Sequence, residues 1–204
     1  MIYNITILKT RAGAPARAFK GIEAWHGRTK SRGSLLACWH ADIGDINQIL
    51  LMHAYDSLDA LHADRRDWLM AGERFGAPDD VTGITMRCAP QMAGVPEIVP
   101  GKRGPIYEVR TYVMEPHDYA AGLQSWADAL PGRSAVTKPL ALLWTTDGPA
   151  TGLIHIWPYA SVEQRMETRR KVIEMGVWPP KNGPRYIVSQ QSDIFLPAPF
   201  SPLC

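Results

Sequence analysis

Ile49-Leu50-Leu51-Met52-His53-Ala54-Tyr55-Asp56-Ser57 and Leu153-Ile154-His155-Ile156-Trp157-Pro158-Tyr159-Ala160-Ser161 are one segment written twice, 104 positions apart. Each is a run of strand-forming residues ending on a tyrosine, with a serine two residues later that can cap a helix. The same offset places Ile2-Tyr3 on Ile106-Tyr107, Gly44 on Gly148, Arg65-Arg66 on Arg169-Arg170 and Gly72 on Gly176. No gap is needed from residue 2 to residue 72, and eleven of these 71 positions are identical. The identities fall at a strand start, a turn glycine, a helix cap and a helix face. A duplicated fold keeps those positions.

Outward from this segment, both halves carry the same pattern. Residues 2–8 and 106–113 alternate as strands. Helices follow at 15–30 and 118–130, with apolar stripes of Phe19, Ile22 and Trp25, and of Leu123, Trp126 and Leu130. Second strands are expected at 35–41 and 140–145, third strands at 49–55 and 153–159, and fourth strands at 82–88 and 185–195. Gly44 and Gly148 mark the turns between second and third strands. Ser57 and Ser161 cap second helices, and Ser161-Val162-Glu163-Gln164 fits a capping box. Each half therefore reads as a βαββαβ ferredoxin-like unit. The organisation is a first repeat at 1–90, a linker rich in Pro and Gly at 91–104 and a second repeat at 105–204. Such a sheet has helices on one face only, and the bare face of one repeat is too apolar to stay wet. The expected fold is α+β: two tandem ferredoxin-like repeats packed sheet to sheet as a barrel within one chain, with four helices outside.

Composition limits the function classes. The 204 residues are 46% hydrophobic and 21% charged, which is ordinary for a globular protein. A net charge of +2 is too small for a phosphate-binding surface, so no nucleic-acid partner is expected. No apolar run is long enough to span a bilayer, and Met1-Ile2-Tyr3-Asn4-Ile5-Thr6 reads as a strand rather than a leader. The expectation is a cytoplasmic protein without a membrane partner, its cysteines Cys38, Cys88 and Cys204 reduced. Seventeen glycines and seventeen prolines imply many turns, and seven tryptophans against four phenylalanines imply large aromatic anchors. GxGxxG, Walker A and GxSxG motifs are absent, which disfavours nucleotide-loop and serine-hydrolase chemistry.

Asp45-Ile46-Asn47 through Ser57, and Gly152 through Ser161 followed by Arg165 and Arg169, resemble the central motif of the NIPSNAP family. Ile106-Tyr107-Glu108-Val109-Arg110-Thr111-Tyr112 is similar to that family's opening strand. The resemblance covers nearly the whole chain as two copies and implies a dimeric α/β-barrel fold. The superfamily includes antibiotic-biosynthesis monooxygenases and haem-binding enzymes, whereas NIPSNAP-like proteins carry no well-established chemistry. No cofactor is expected here, with haem implied only through the superfamily. The first copy departs from the pattern: Asn4, Thr6 and Leu61 stand where the second has Glu108, Arg110 and Arg165. A site that uses those charges belongs to the second half.

Strand periodicity groups the candidate site residues. Tyr107, Val109 and Val113, with Ile154 and Ile156, form the apolar sets expected to meet the helices. Glu108, Arg110, Tyr112, His155 and Trp157 then share the other face, expected inside the barrel, with Asn4, Thr6 and His53 contributed by the first repeat. Arg110 would hold an anionic group while His155 or Glu108 moves a proton; Tyr112, Trp144, Trp157 and His53 would bind the ligand. Alternatively Glu108 and Arg110 neutralise each other as a buried pair. Trp25, Trp39, Trp126, Trp144 and Trp157 read as core anchors or as walls for a flat ligand. No metal site is expected. Arg165 and Arg169 share a helix face and are expected to pair with Glu163 and Glu167 in solvent. The functional expectation is a protein that binds a small aromatic or anionic molecule, in the barrel or between sheet and helices. The alternatives are a cofactor-independent monooxygenase- or isomerase-like enzyme and a non-catalytic interaction module. A homodimer of the pseudo-dimeric chain is left open.

Overall fold

A computed structural model describes residues 1–148 and 151–204. The first repeat runs β1 (Ile2–Thr10), α1 (Pro15–Arg28), β2 (Ser34–Ile43), β3 (Gln48–Tyr55), α2 (Leu58–Ala71) and β4 (Val81–Pro90). The second runs β5 (Ile106–Met114), α3 (Tyr119–Ser134), β6 (Ala141–Thr145), β7 (Gly152–Tyr159), α4 (Val162–Glu174) and β8 (Ile187–Pro197). Short 3₁₀ turns, Arg74–Gly76 and Gly183–Tyr186, lie between the last helix and last strand of each repeat. The serine caps form as the sequence indicates: Ser57 accepts from the Ala60 amide and Ser161 from the Gln164 amide. Gln164 reaches back to the Ala160 amide, one residue before the cap, giving a shifted version of the capping box.

All strand pairs are antiparallel, in the order β4-β1-β3-β2-β8-β5-β7-β6. Within each repeat this is the ferredoxin-like order. Two seams join the repeats. At the first, β2 pairs with β8 from Trp39↔Pro197 to Ile43↔Ile194. At the second, just past β4, Gln91 bridges Leu143 on β6 and the Met92 amide donates to the Leu142 carbonyl. These contacts bring the two end strands together, so the two repeats form an intrachain α/β barrel that the second seam closes through a short bridge rather than a full ladder. The segment from Pro90 to Ile106 laces the repeats together: the Ile98 amide donates to the Tyr3 hydroxyl, and Gly101 bridges Leu203 near the C-terminus. Among the described residues, no helix is long and apolar enough to cross a membrane.

The barrel interior is apolar. Tyr3, Ile5, Leu50 and Met52 from the first repeat meet Tyr107, Val109, Ile154, Ile156 and Phe195 from the second. Trp39 stacks on Tyr107 across the first seam, ring centroids 4.0 Å apart. A small cavity of about 190 Å³ lies at one end, beside Lys9, Asp45 and Asp193. Two further cores lie between each half-sheet and its helices.

The face assignment read from periodicity is therefore inverted. Tyr107, Val109, Ile154 and Ile156 line the barrel, and Glu108, Arg110, Tyr112, His155 and Trp157 lie under the helices, as do Asn4, Thr6 and His53. Alternation fixes which residues share a face but not which layer that face meets. The physical reason for the outcome is solvation. Sheet surrounds the middle of the lumen, so a charge there would lose water; the charged groups that line it, among them Lys9, Asp45 and Asp193, gather at one end. Beneath the helices, arginine stems from the helix surface can reach a buried carboxylate while their heads keep contact with water.

Candidate functional site

The second repeat's sheet–helix layer is organised around Glu108. Its position on β5, between neighbours β7 and β8, places it opposite Trp157 and Ile194, and it is 1% exposed. One carboxylate oxygen accepts from Arg110 Nη1 at 3.0 Å, Arg165 Nη2 at 2.6 Å and Ser192 Oγ at 2.8 Å. Arg169 Nη1 stands 3.9 Å from the same oxygen. Burial alone would raise the Glu108 pKa; the Arg165 hydrogen bond and the charges of Arg110 and Arg165 outweigh it and hold it at about 2. Glu108 is thus a permanent anion. Three guanidinium groups surround it, so the layer carries excess positive charge.

Arg165 and Arg169 correct the expectation of a solvated, paired helix face. They reach inward to Glu108 rather than pairing with Glu163 and Glu167; the i,i+4 pair that forms on α4 is Arg170–Glu174, at 3.8 Å. Val172 and Thr168, buried on α4, turn that face toward the sheet and carry the two arginines with it. Arg110 also donates through Nε to the Tyr112 hydroxyl at 2.8 Å, which fixes its guanidinium along the strand. Charge, hydrogen bonds and neighbours combine to push the Arg110 pKa up against burial.

Beside this cluster lies a cavity of about 430 Å³. Arg110 and Arg169 supply its charged wall; Tyr112, Trp126 and Trp178 supply its aromatic wall. Pro179, Pro180 and Pro184 close the side formed by the segment between α4 and β8. A cavity of this size with few polar groups matches a small-molecule site. Trp178 packs edge-on against Trp126, Trp157 and His155, with ring centroids 6.4, 5.8 and 6.2 Å away.

His155 lies one layer behind the cavity. It is fully buried, and its ring touches Tyr112 edge-on at 4.7 Å. The Trp157 indole N–H donates to His155 Nδ1 at 2.9 Å. An indole can only donate, so Nδ1 bears the lone pair and the proton sits on Nε2. Burial, reinforced by the Arg110 charge, lowers the His155 pKa to about 3. His155 is therefore a neutral hydrogen-bond donor at physiological pH, and its geometry does not suit the role of a proton-accepting base. Trp157 in turn is capped by the Arg133 guanidinium, 4.0 Å from the ring centroid.

The remaining candidates do not join this site. His53 lies in the first repeat's layer, stacked on His26 with Nε2 atoms 2.8 Å apart and held against Trp68. Trp144 sits half-buried on the outer strand β6, packed at the margin of the second layer. Trp39 is a barrel-core anchor. No histidine lines this cavity, and Tyr112 and Trp178 pack against His155 on that side. Sequence reasoning passed over Ser192, Arg133 and Trp178. The last had a signal, a tryptophan followed by two prolines just past a helix end.

Comparison with known proteins agrees with this architecture. The NIPSNAP family model matches residues 3–79 and again 107–202. A protein NipSnap homolog of Dictyostelium discoideum is 23% identical over 154 residues, covering 74% of this chain and 68% of its own length. Among solved structures, an anthrone oxidase-like protein superposes with a TM-score of 0.69 at 11% identity, covering 97% of this chain and 91% of its own. A Fusobacterium nucleatum protein provisionally described as a monooxygenase superposes with a TM-score of 0.66 at 8% identity, covering 96% and 91%. These two likenesses concern the fold alone.

Proposed function

The chain belongs to the NIPSNAP family, carried twice, and from that premise we propose that its second repeat binds a small, flat, anionic molecule between sheet and helices. One observation carries the reading. Arg110 and Arg169 both line the cavity, while the carboxylate that partners them, Glu108, is buried beneath and already accepts from Arg165 and Ser192. Two guanidinium groups thus face the cavity with part of their hydrogen-bonding capacity free, next to three aromatic rings. Guanidinium groups recognise carboxylates through paired, charge-assisted hydrogen bonds, and aromatic walls suit a planar body. The same donors would stabilise an oxyanion if the bound molecule reacts, which supports the oxygenase- or isomerase-like alternative; a base other than His155 would then be needed.

The test is mass spectrometry of molecules that co-purify with the native protein, followed by calorimetric titration with a naphthalene carboxylate. The expected result is a bound organic anion, with affinity reduced about tenfold or more in Arg169→Ala, the loss of one charge-assisted contact. Arg169 is the informative variant because its long contact to Glu108 leaves the buried cluster intact when it is removed. Recovery of only neutral or cationic ligands, or equal affinity in the variant, would sink the proposal.

A further inference from the structure

The two ends of the barrel are finished differently. At one, the lumen is stoppered: Trp39 stacks on Tyr107, its indole N–H donates to the Leu203 carbonyl at 3.0 Å, and the Tyr3 hydroxyl accepts from the Ile98 amide. At the other, the cavity of about 190 Å³ has an aliphatic floor that includes Ile5, Leu50 and Ile154 beneath a charged rim. It shares no lining residue with the sheet–helix cavity, so the two sites stand or fall separately. Within the rim, Lys9 pairs with Asp45 and donates to Gln48 Oε1 at 3.2 Å. Arg87 and Asp193 are left over, and among the described residues neither has an ion-pair partner. Asp193 is 4% exposed, and its carboxylate is met by neutral donors alone. Oδ1 accepts from the Asp45 amide at 2.7 Å, whereas Oδ2 accepts only from Gln191, an exposed side chain. A carboxylate so buried is normally matched by a cation, and Oδ2 has a further lone pair to offer one.

The strand order says where these two charges stand. In the ring β4-β1-β3-β2-β8-β5-β7-β6, Arg87 on β4 and Asp193 on β8 are four places apart out of eight, directly across the lumen. Both belong to lumen-facing sets, Arg87 opposite Ile5 and Asp193 opposite Val109. We propose that this end of the barrel binds a short ω-amino acid, a chain with an ammonium at one end and a carboxylate at the other. The ammonium meets Asp193 Oδ2, the carboxylate meets the Arg87 guanidinium, and the methylenes between them lie on the aliphatic floor. An α-amino acid carries both charges on one carbon and cannot reach opposite walls. Charge agrees with this choice. Lys9 and Arg87 balance Asp45 and Asp193, so a ligand of no net charge suits the rim, whereas a simple anion or a simple cation meets two groups of its own sign. Size agrees as well: at about 30 Å³ per water the cavity holds about six water volumes, the room a chain of roughly that many non-hydrogen atoms needs.

The experiment uses γ-aminobutyrate, its isomer α-aminobutyrate, and butyrate and butylamine, which keep one charge each. All four are titrated calorimetrically into the full-length protein. The wild type is expected to bind γ-aminobutyrate about tenfold or more tightly than any of the other three, the value of one charge-assisted contact. Asp193→Asn keeps an acceptor for the Asp45 amide and loses the charge; Arg87→Gln removes the guanidinium from a half-buried rim position. Each variant should weaken γ-aminobutyrate binding about tenfold, with near-UV circular dichroism reporting a native fold. Equal affinity for the two aminobutyrates, butyrate or butylamine binding as well as γ-aminobutyrate, or undiminished binding in either variant overturns the proposal. So does a wild type that gives no binding heat with γ-aminobutyrate up to millimolar concentration. If a variant loses its native spectrum, the ranking of the four probes by the wild type decides.

Discussion

The two sheet–helix layers of this molecule share a backbone frame and differ in the side chains that fill them. In the first, Asn4 stands where the second has Glu108, and it accepts one hydrogen bond from Arg65, the counterpart of Arg169. Leu61 replaces Arg165 and Thr6 replaces Arg110, so three charges of the second layer have no equivalent. Arg65 is instead neutralised by Asp147, which belongs to the β6–β7 turn of the other repeat. Space differs as well. After α2 the chain enters the left-handed region at Arg74 and Phe75, and a tight contact between Gly76 and Gly21 of α1 lets Phe75 sink between Trp25 and Trp68. The corresponding segment after α4 carries Trp178-Pro179-Pro180, which walls a cavity instead of filling one. Duplication thus produced one layer in which Phe75 fills the space between Trp25 and Trp68 and one in which a cavity lies beside a strand-borne charged cluster. The lesson is that a pocket here is made by a few side chains on an unchanged scaffold.

The largest expected effect tests the charge difference. Glu108→Ala leaves three arginines without their buried partner and should cost about 3–5 kcal/mol in urea unfolding. Asn4→Ala removes a neutral acceptor and should cost about 1–3 kcal/mol. A sharper version converts the second layer to the first: Glu108→Asn, Arg110→Thr and Arg165→Leu together. Because the charges leave as a group, the triple variant should be more stable than Glu108→Asn alone, and it should no longer bind the anion. Equal costs at Glu108 and Asn4 would mean that the two layers are not energetically distinct. Next in size is the plug. Phe75→Ala should lose about 3–5 kcal/mol through the cavity it opens among Trp25 and Trp68. Trp178→Ala, at a half-buried cavity wall, should lose less than half of that.

Much of this was legible in the sequence, and for definable reasons. The repeat, the strand order and the serine caps are local or periodic features, so Tyr55 with Ser57 and Tyr159 with Ser161 announced them. The grouping of Glu108, Arg110, Tyr112, His155 and Trp157 on one face was also legible, since residues two apart on neighbouring strands must meet. The layer that this face borders was not. Both faces of a closed sheet are buried, so alternation cannot distinguish lumen from helix side; only the partners do, and these come from α4 more than fifty residues away in sequence. Arg165 and Arg169 looked solvent-directed because Glu163 and Glu167 sit at pairing distance along the helix. Their inward reach depends on an anion in a different element.

A middle-sized effect should appear with pH, and here the layers behave alike for different reasons. Burial lowers the pKa of His53 to about 3, helped by His26, and that of His155 to about 3, helped by Arg110. Both histidines stay neutral in the fold and take up a proton on unfolding below about pH 6.5. Their contribution is therefore complete above that pH and is lost as pH falls toward 3. Between about pH 6.5 and pH 4.5 each should tilt stability by about 1.4 kcal/mol per pH unit. Glu108, held down rather than up, adds its own loss only from about pH 4.5 toward 2. Urea midpoints across the upper window should show the combined slope of these two and of His26, whose pKa burial also lowers, and His155→Leu or His53→Leu should each remove part of it. A flat profile between pH 6.5 and 4.5 would show that protons reach the folded layers.

The smallest effect concerns the one pair of arginines that duplication kept without giving them a task. Arg66 and Arg170 occupy equivalent positions, each next to an arginine that turns inward, and both point to solvent. Arg170 pairs with Glu174 one turn on, an exposed contact worth about 0.3–0.5 kcal/mol at most. Arg170→Ala should therefore shift stability by no more than that, leave anion binding untouched, and match Arg66→Ala closely. Their neighbours should part company: Arg169→Ala should weaken binding, whereas Arg65→Ala in the plugged layer should affect stability alone. Sequence identity between the repeats is the same at both positions. If the outer pair mattered as much as the inner pair, the difference between the layers could not be assigned to what lies beneath the helices.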